Sequence, residues 1–349
     1  MGGLETHLNE VAPRIARAGF EVTILTTDRT GLLPTAELRD GVRIERVRAY
    51  PSRSDYYFAP AIYRRIRQGK WDLLHCHAYQ TLVPPLAMLA AARSGIPFVV
   101  TFHSGGHGSR LRNRFRSTQL RLLSPLLRHA RRLIAVSEFE ASTLPARLGV
   151  PASRFVIIPN GAEIELPADQ PAPAEDPGLV LSVGRLERYK GHHLVIAALP
   201  HVLADIPDIH LLIVGSGPYE AELRRLAESY EVADRVEIRS IPPTDRSGMA
   251  STVARAGLVT LLSAYEGNPV SVMEALALRR RVLVADTSGL SELGRRGLAH
   301  VIPLDSSPTA IARAIVEQLR SPAPADFRLP TWDGCAAKLV ELYRDVLTG

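Results

Sequence analysis

The chain has 349 residues, 46% hydrophobic and 22% charged, enough for two domains that each bury a core. Its net charge of +6 favours anionic partners such as phosphates, nucleotides or acidic lipid. Cys76 and Cys335 are far apart in sequence and spaced for neither a zinc site nor a redox dithiol. No run spans a bilayer, since the best stretch, 82–100, is broken by Pro84, Pro85, Arg93 and Pro97. The first residues also lack the basic and apolar blocks of a secretory signal, so a cytoplasmic setting is expected.

Taken in chain order, short β-branched runs predict strands over 21–27, 42–47, 72–76, 98–102, 133–136 and 154–158. Helical patterns fall between them, as at 80–92 and 138–148. Then "IELPADQPAPAEDPG" intervenes, with Pro167, Pro171, Pro173 and Pro177, and reads as a semi-rigid linker. Strands resume at 179–183, 209–214, 236–238, 258–262 and 282–285, with helices at 194–204 and 219–229. The closing "TWDGCAAKLVELYRDVLTG" puts Ala336, Leu339, Val340, Tyr343 and Leu347 on one helical face. This alternation predicts an α/β protein with two Rossmann-like, doubly wound parallel-sheet domains facing across a cleft. The expected boundaries are 1–160, a linker over 161–178, a second domain over 179–330, and a helix over 331–349 that is free to cross back.

Several segments carry chemistry. "DLLHCHAY" and "TFHSGGHG" place His75, His77, His103 and His107 after strands of the first half. A metal reading needs ligands that converge, which spacing does not show, and no metal is assigned. His103, just before Gly105-Gly106, is the best candidate for touching a polar ligand. His77, Tyr79 and His107 are weaker candidates for contacting an acceptor. The arginine-rich segment 109–132 reads as a helix with a solvated basic face. As lesser readings, such a helix can sit on anionic membrane or face an anionic acceptor. It lacks the interleaved aromatics that single-stranded nucleic acid needs.

In "VGRLERYKG", Arg185 and Lys190 lie five apart at a strand's carboxyl end. Two fixed cations there suit a diphosphate, although two solvated surface cations would give the same pattern. Lys190 is one of only three lysines. "LLIVGSGP" offers Gly215 and Gly217, an incomplete dinucleotide fingerprint. "EGNPVSVMEALA" reads as a turn and helix after a buried strand, with Asn268 as N-cap and Pro269 first in the helix. Glu266 would precede the helix and Glu274 would lie within it. From spacing alone, a loop glutamate and an exposed helix carboxylate fit as well.

In order and spacing these segments, with "GGLETHLNEVAPRIARAGFEVTILTT", "AVSEFEAS", "IIPNGAE" and "TSGLSEL", resemble the family 4 retaining glycosyltransferases of GT-B architecture. The resemblance covers nearly the whole chain. It implies that Arg185 and Lys190 hold a donor's diphosphate and that Glu266 lies beside the donor sugar. It implies that Glu274 binds the ribose, that His103 touches the transferred sugar, and that Gly3 belongs to a glycine loop near the donor. The turn 267–270 would offer backbone N–H groups from Gly267, Asn268 and Val270. Arg239 to Ile241 would frame the base, and Asn160 and Gly161 would enter the crossover. No cofactor is implied beyond a nucleoside-diphosphate sugar, UDP- or GDP-linked, as co-substrate. The acceptor would be a small molecule, glycan or glycolipid, with peripheral membrane contact through 110–132 as a lesser expectation.

The absence of a D-x-D motif fits transfer without a metal. Departures from the family pattern are also present. The strand that normally precedes the glycine loop is missing, which suggests a start further upstream. Pro13 should kink or break the first helix. Glu163 replaces an aspartate, and Arg279-Arg280 stand where a glycine is usual. A nucleotide-sugar epimerase and a two-lobed sugar-binding protein are the alternative readings. An NAD-dependent oxidoreductase is disfavoured by the incomplete fingerprint.

Overall fold

The computed structural model describes residues 3–51, 57–79, 81–103, 110–166, 171–322, 324 and 327–349, with side chains of 110–117 excluded. Contacts divide it into two compact units. One comprises Leu4–Ser104, Leu111–Asn160 and Trp332–Gly349, and the other is mainly Gly161–Thr331.

The amino-terminal unit runs α1 (Gly3–Arg17), β1 (Val22–Asp28), β2 (Ala36–Arg39), β3 (Val42–Arg48), α2 (Pro60–Gln68), β4 (Leu74–His77) and α3 (Val83–Ser94). It continues through β5 (Phe98–Thr101), α4 (Arg110–Leu127), β6 (Arg132–Ala135), α5 (Glu138–Leu148) and β7 (Phe155–Ile157). Instead of one sheet it holds two. The first has the order β1-β3-β2 and the second, β4-β5-β6-β7, is wholly parallel. Among the described residues, β1 pairs only with β3 and β4 only with β5. Strand β2, not expected from sequence, pairs antiparallel with β3 and is mostly exposed.

Helix α1 continues through Pro13, so the break that was one of the two expected outcomes does not occur. Proline there removes a single ladder bond. The burial of Val11, Ala12 and Ile15 on the same face holds the helix together across it.

The carboxyl-terminal unit runs β8 (Asp176–Val183), α6 (His192–Leu203), β9 (His210–Val214), α7 (Glu220–Ser229), β10 (Val236–Arg239) and α8 (Arg246–Arg255). It ends with β11 (Ala256–Leu261), α9 (Val270–Ala277), β12 (Arg281–Ala285), α10 (Leu290–Arg295), β13 (His300–Ile302) and α11 (Pro308–Arg320). Its six strands are all parallel in the order β10-β9-β8-β11-β12-β13. Renumbered from β8 this is 3-2-1-4-5-6, the doubly wound order whose direction reverses between β8 and β11.

Strand alternation explains the two covering layers. Leu211 and Ile213 of β9 join the core under α6, α7 and α11, while Leu212 and Val214 join the core under α8, α9 and α10. The expected linker is partly packed, with Ala162 and Ile164 buried and the Ala162 N–H bonded to the Pro330 carbonyl at 3.0 Å. Helix α12 (Trp332–Thr348) packs in the amino-terminal unit, where Arg14 meets Asp333 at 2.6 Å.

Candidate active site

In the carboxyl-terminal unit, the loops leaving β8 and β11 flank the point where strand order reverses. The β8 loop carries Arg185, Glu187 and Lys190, and the β11 loop carries Glu266. Lys190 Nζ lies 2.6 Å from Glu266 Oε1, so the lysine stands against the turn that opens α9. Arg185 pairs with the buried Glu187 at 2.7 Å. The phenol of Tyr189 is within electrostatic reach of Lys190, Glu266, Glu187 and Arg185 together. Burial is the main influence on it and raises its pKa. Four charges thus gather around one ring.

Burial is also the largest influence on the Lys190 ammonium and lowers its pKa. Glu266, Tyr189 and Glu187 together outweigh it, and the net shift is upward. Lys190 is therefore a fixed cation at neutral pH. Each cation already has a carboxylate partner: Lys190 is buried, where an isolated charge would be costly, whereas the Arg185 side chain is 58% exposed.

The β8 loop is held from below. His192, fully buried, bonds Ser182 Oγ through Nδ1 at 2.8 Å and the Arg185 carbonyl through Nε2 at 3.3 Å. Gly215 explains the incomplete fingerprint. A Cβ there would stand 1.9 Å from the Gly184 carbonyl oxygen, so the glycine lets two backbones touch.

The α9 turn is braced in the same manner. The Glu266 N–H donates to Ser288 Oγ at 2.8 Å, and the Gly289 N–H donates to the Glu266 carbonyl at 3.0 Å. A Cβ on Gly289 would lie 1.8 Å from the Gly267 carbonyl oxygen, so only glycine fits against this turn. Ser288 itself has φ +45°, a left-handed conformation that costs a non-glycine residue on the order of 1–3 kcal/mol.

Glu266 and Glu274 are both buried, at 6% and 4% exposure, which rules out the solvated reading of the pair. Glu274 accepts from Arg246 at 2.6 Å, an arginine at the start of α8 that the motif reading did not single out. Asn268 is not the N-cap. Pro269 takes that place in extended conformation and α9 starts at Val270. Val270, first in the helix, has no intrahelical acceptor for its N–H, and the helix terminus brings positive potential to the turn. Arg239 ends β10 and pairs with Glu237 at 3.3 Å, while its carbonyl accepts the Gly215 N–H at 2.9 Å. Ile241 is half-buried against the α8–α10 core.

The amino-terminal unit holds a second group. His77 ends β4 and His103 follows β5 with φ +45°. Their nearest ring nitrogens, His77 Nδ1 and His103 Nε2, are 3.1 Å apart. His7 of α1 joins them, held by Asn160 Oδ1 at 2.9 Å from its Nδ1. His75 supports the group, bonded to Tyr343 at 2.5 Å and Thr101 at 2.7 Å. Burial lowers the pKa of His7 to about 4 and of His75, His77 and His103 well below the ordinary value, with the neighbouring imidazoles adding to the effect in the last three. All four are neutral at pH 7.

Tyr79 is corrected to a core residue. It is 1% exposed, with its ring 5.7 Å from that of Phe102, so its side chain does not face an acceptor. Gly3 opens α1 and is exposed. His107 lies outside the described residues. An apolar groove of about 550 Å³ between α3 and α4, lined by Leu82, Leu86, Leu89, Leu122 and Leu126, includes none of the candidate catalytic or donor-binding residues. Among the described residues no helix is long and apolar enough to cross a membrane.

An open parallel sheet with fixed cations at its switch point is the arrangement of a nucleotide-binding α/β protein. Residues 1–166 match the family described as Glycosyltransferase Family 4, and residues 164–328 match Glycosyl transferases group 1. The chain belongs to the family 4 glycosyltransferases, of GT-B type.

Among its relatives, the phosphatidyl-myo-inositol mannosyltransferase of Mycolicibacterium smegmatis is 29% identical, with 99% of this chain and 90% of the relative covered. The D-inositol 3-phosphate glycosyltransferase of Nocardiopsis dassonvillei is 28% identical over 98% of this chain and 89% of its own length. Among solved structures, sucrose-phosphate synthase from Thermosynechococcus elongatus superposes with a TM-score of 0.76 at 21% identity, covering 99% of this chain and 94% of that one. Anabaena HepE in complex with UDP-glucose gives 0.68 at 19% identity, covering 100% and 93%.

Proposed function

We propose that this glycosyltransferase moves a sugar from a nucleoside-diphosphate sugar to a hydroxyl acceptor with retention of anomeric configuration and without a metal ion. The observation that carries the reading is the contact of Lys190 with Glu266. It joins the cation of the β8 loop to the turn that opens α9.

In this reading the diphosphate displaces Glu187 from Arg185 and shares Lys190 with Glu266. Arg185, Lys190 and the α9 terminus then stabilise negative charge as the glycosidic bond breaks. Glu266 lies beside the sugar, and Glu274, oriented by Arg246, accepts from the ribose hydroxyls. Neutral His103 offers one hydrogen bond to the transferred sugar. The acceptor attacks from the side the leaving group vacates, and the departing phosphate takes its proton.

UDP and GDP are the first donors to test, and the UDP-glucose bound to HepE supports starting with UDP. The relatives' names put inositol phosphate and phosphatidylinositol first among acceptors, and the net charge of +6 suits such anions. Contact of α4 with anionic membrane would be seen as cosedimentation with liposomes that depends on anionic lipid.

The test is a hydrolysis screen across nucleotide sugars in excess chelator, with the anomer of the released sugar read by NMR. Release of the donor's own anomer from one UDP- or GDP-sugar is expected. Inversion, or turnover only after a divalent ion is restored, would overturn the reading.

A further inference from the structure

The histidines of the amino-terminal unit form a more specific constellation than contact with a sugar requires. His7, His77 and His103 come from α1, the end of β4 and the residue after β5. One ring nitrogen from each lies within 4.8 Å of the other two. Ring centroids are 5.4 Å apart for His7 and His77, 4.7 Å for His7 and His103, and 5.4 Å for His77 and His103.

His7 is 2% exposed. Its Nδ1 faces the Asn160 carbonyl oxygen, which only accepts, so Nδ1 carries the proton. Nε2 is then a bare lone pair, buried and without a hydrogen-bond partner. A buried acceptor left without a donor is costly, and a Lewis acid would satisfy it. His75 is outside the set, since Tyr343 and Thr101 engage both of its nitrogens.

We propose that His7, His77 and His103 form a three-imidazole site for a borderline divalent transition ion of the zinc or nickel class. Neutral imidazoles present lone pairs at pH 7, and nitrogen donors select such ions over magnesium or calcium. The Asn160 carbonyl on His7 Nδ1 is the kind of outer partner that fixes the tautomer of a ligating histidine.

Metal–nitrogen bonds of about 2.0–2.1 Å put two nitrogens of a tetrahedral site about 3.3 Å apart. The His77–His103 pair, at 3.1 Å, is close to that spacing. The donor of that pair moves its proton to its other ring nitrogen when both ligate, and the third imidazole swings inward. Three protein ligands leave a fourth position to water. The consequence rests on the proposed contact of His103 with sugar. A ligated His103 cannot make that contact, so the ion inhibits transfer.

The test is calorimetric titration of the untagged, full-length chain with Zn²⁺, with Mg²⁺ as comparison and Co²⁺ absorption as a report on coordination. The expected result is stoichiometric Zn²⁺ binding, no Mg²⁺ binding, and a cobalt spectrum of low coordination number. Affinity should fall at least tenfold in His7→Ala and in His77→Ala, and be unchanged in His201→Ala, an exposed histidine elsewhere. Circular dichroism establishes which variants are folded. If His7→Ala is not, His7→Gln supplies the comparison.

Absence of stoichiometric Zn²⁺ binding, or equal affinity in folded His7 and His77 variants, overturns the site. Zn²⁺ that binds but leaves donor hydrolysis unchanged overturns the inhibition. If donor hydrolysis fails altogether, the transfer reading fails, while the binding titration still decides the site.

Discussion

Replacing Lys190 by methionine removes the ammonium with little change in side-chain length. Glu266, 6% exposed, then loses a partner at 2.6 Å. At an effective dielectric of about 20 that contact is worth about 6 kcal/mol before desolvation is subtracted. Breaking one side of a buried pair costs about 3–5 kcal/mol net, because the remaining carboxylate is stranded. Lys190→Met should therefore lose about that much stability in urea denaturation. Lys190→Met with Glu266→Gln should recover at least half of it, since the second change removes the stranded charge. Donor turnover should stay low in both, by about 10²–10³-fold, the usual effect of losing one group that stabilises the leaving oxygen. A single variant that loses less than about 1 kcal/mol, or a double variant less stable than the single, would refute the buried-pair argument.

Other outcomes follow from the same contacts. Glu274→Ala should weaken donor binding by about 1–3 kcal/mol in titration, the range for a lost hydrogen bond to a charged group. Arg279 has φ +57° after α9, so Arg279→Gly should stabilise the fold by about 1 kcal/mol through relieved backbone strain, seen as a higher melting temperature.

Stability should also fall as pH drops from about 7 towards 4. His7 and His192 titrate at about 4 in the fold, both depressed chiefly by burial, against about 6.5 when unfolded. Between these values the unfolded chain binds more protons than the folded one, so acid favours unfolding. Each contributes up to about 3 kcal/mol over that window, and His75, His77 and His103 act in the same direction. A flat melting temperature over this range would contradict neutral burial of the histidines.

The central strands of the carboxyl-terminal sheet, β8, β9, β11 and β12, were readable from sequence because they are buried on both faces and appear as apolar runs. The expected 209–214 and 282–285 are found at His210–Val214 and Arg281–Ala285. Strand β2, reading Ala-Glu-Leu-Arg, is an exposed edge with no apolar signal, and β13 has only three residues. The motif residues were legible as local chemistry, but their partners were not. Arg246 lies 28 positions from Glu274, and His7 lies 153 positions from Asn160. No periodicity links such pairs. Glu187 was within reach, being the only carboxylate between Arg185 and Lys190. Tyr79 misled because its place after a strand end says nothing of the direction its ring takes.

Transfer as proposed requires Arg185 and Lys190 to hold a diphosphate without help from a metal ion. Titration calorimetry of UDP and GDP in excess EDTA, against the unmodified chain and Arg185→Ala, measures this directly. The prediction is that one nucleotide binds in chelator and that Arg185→Ala weakens it at least tenfold. Binding that requires a restored divalent ion, or equal affinity in the variant, would contradict it.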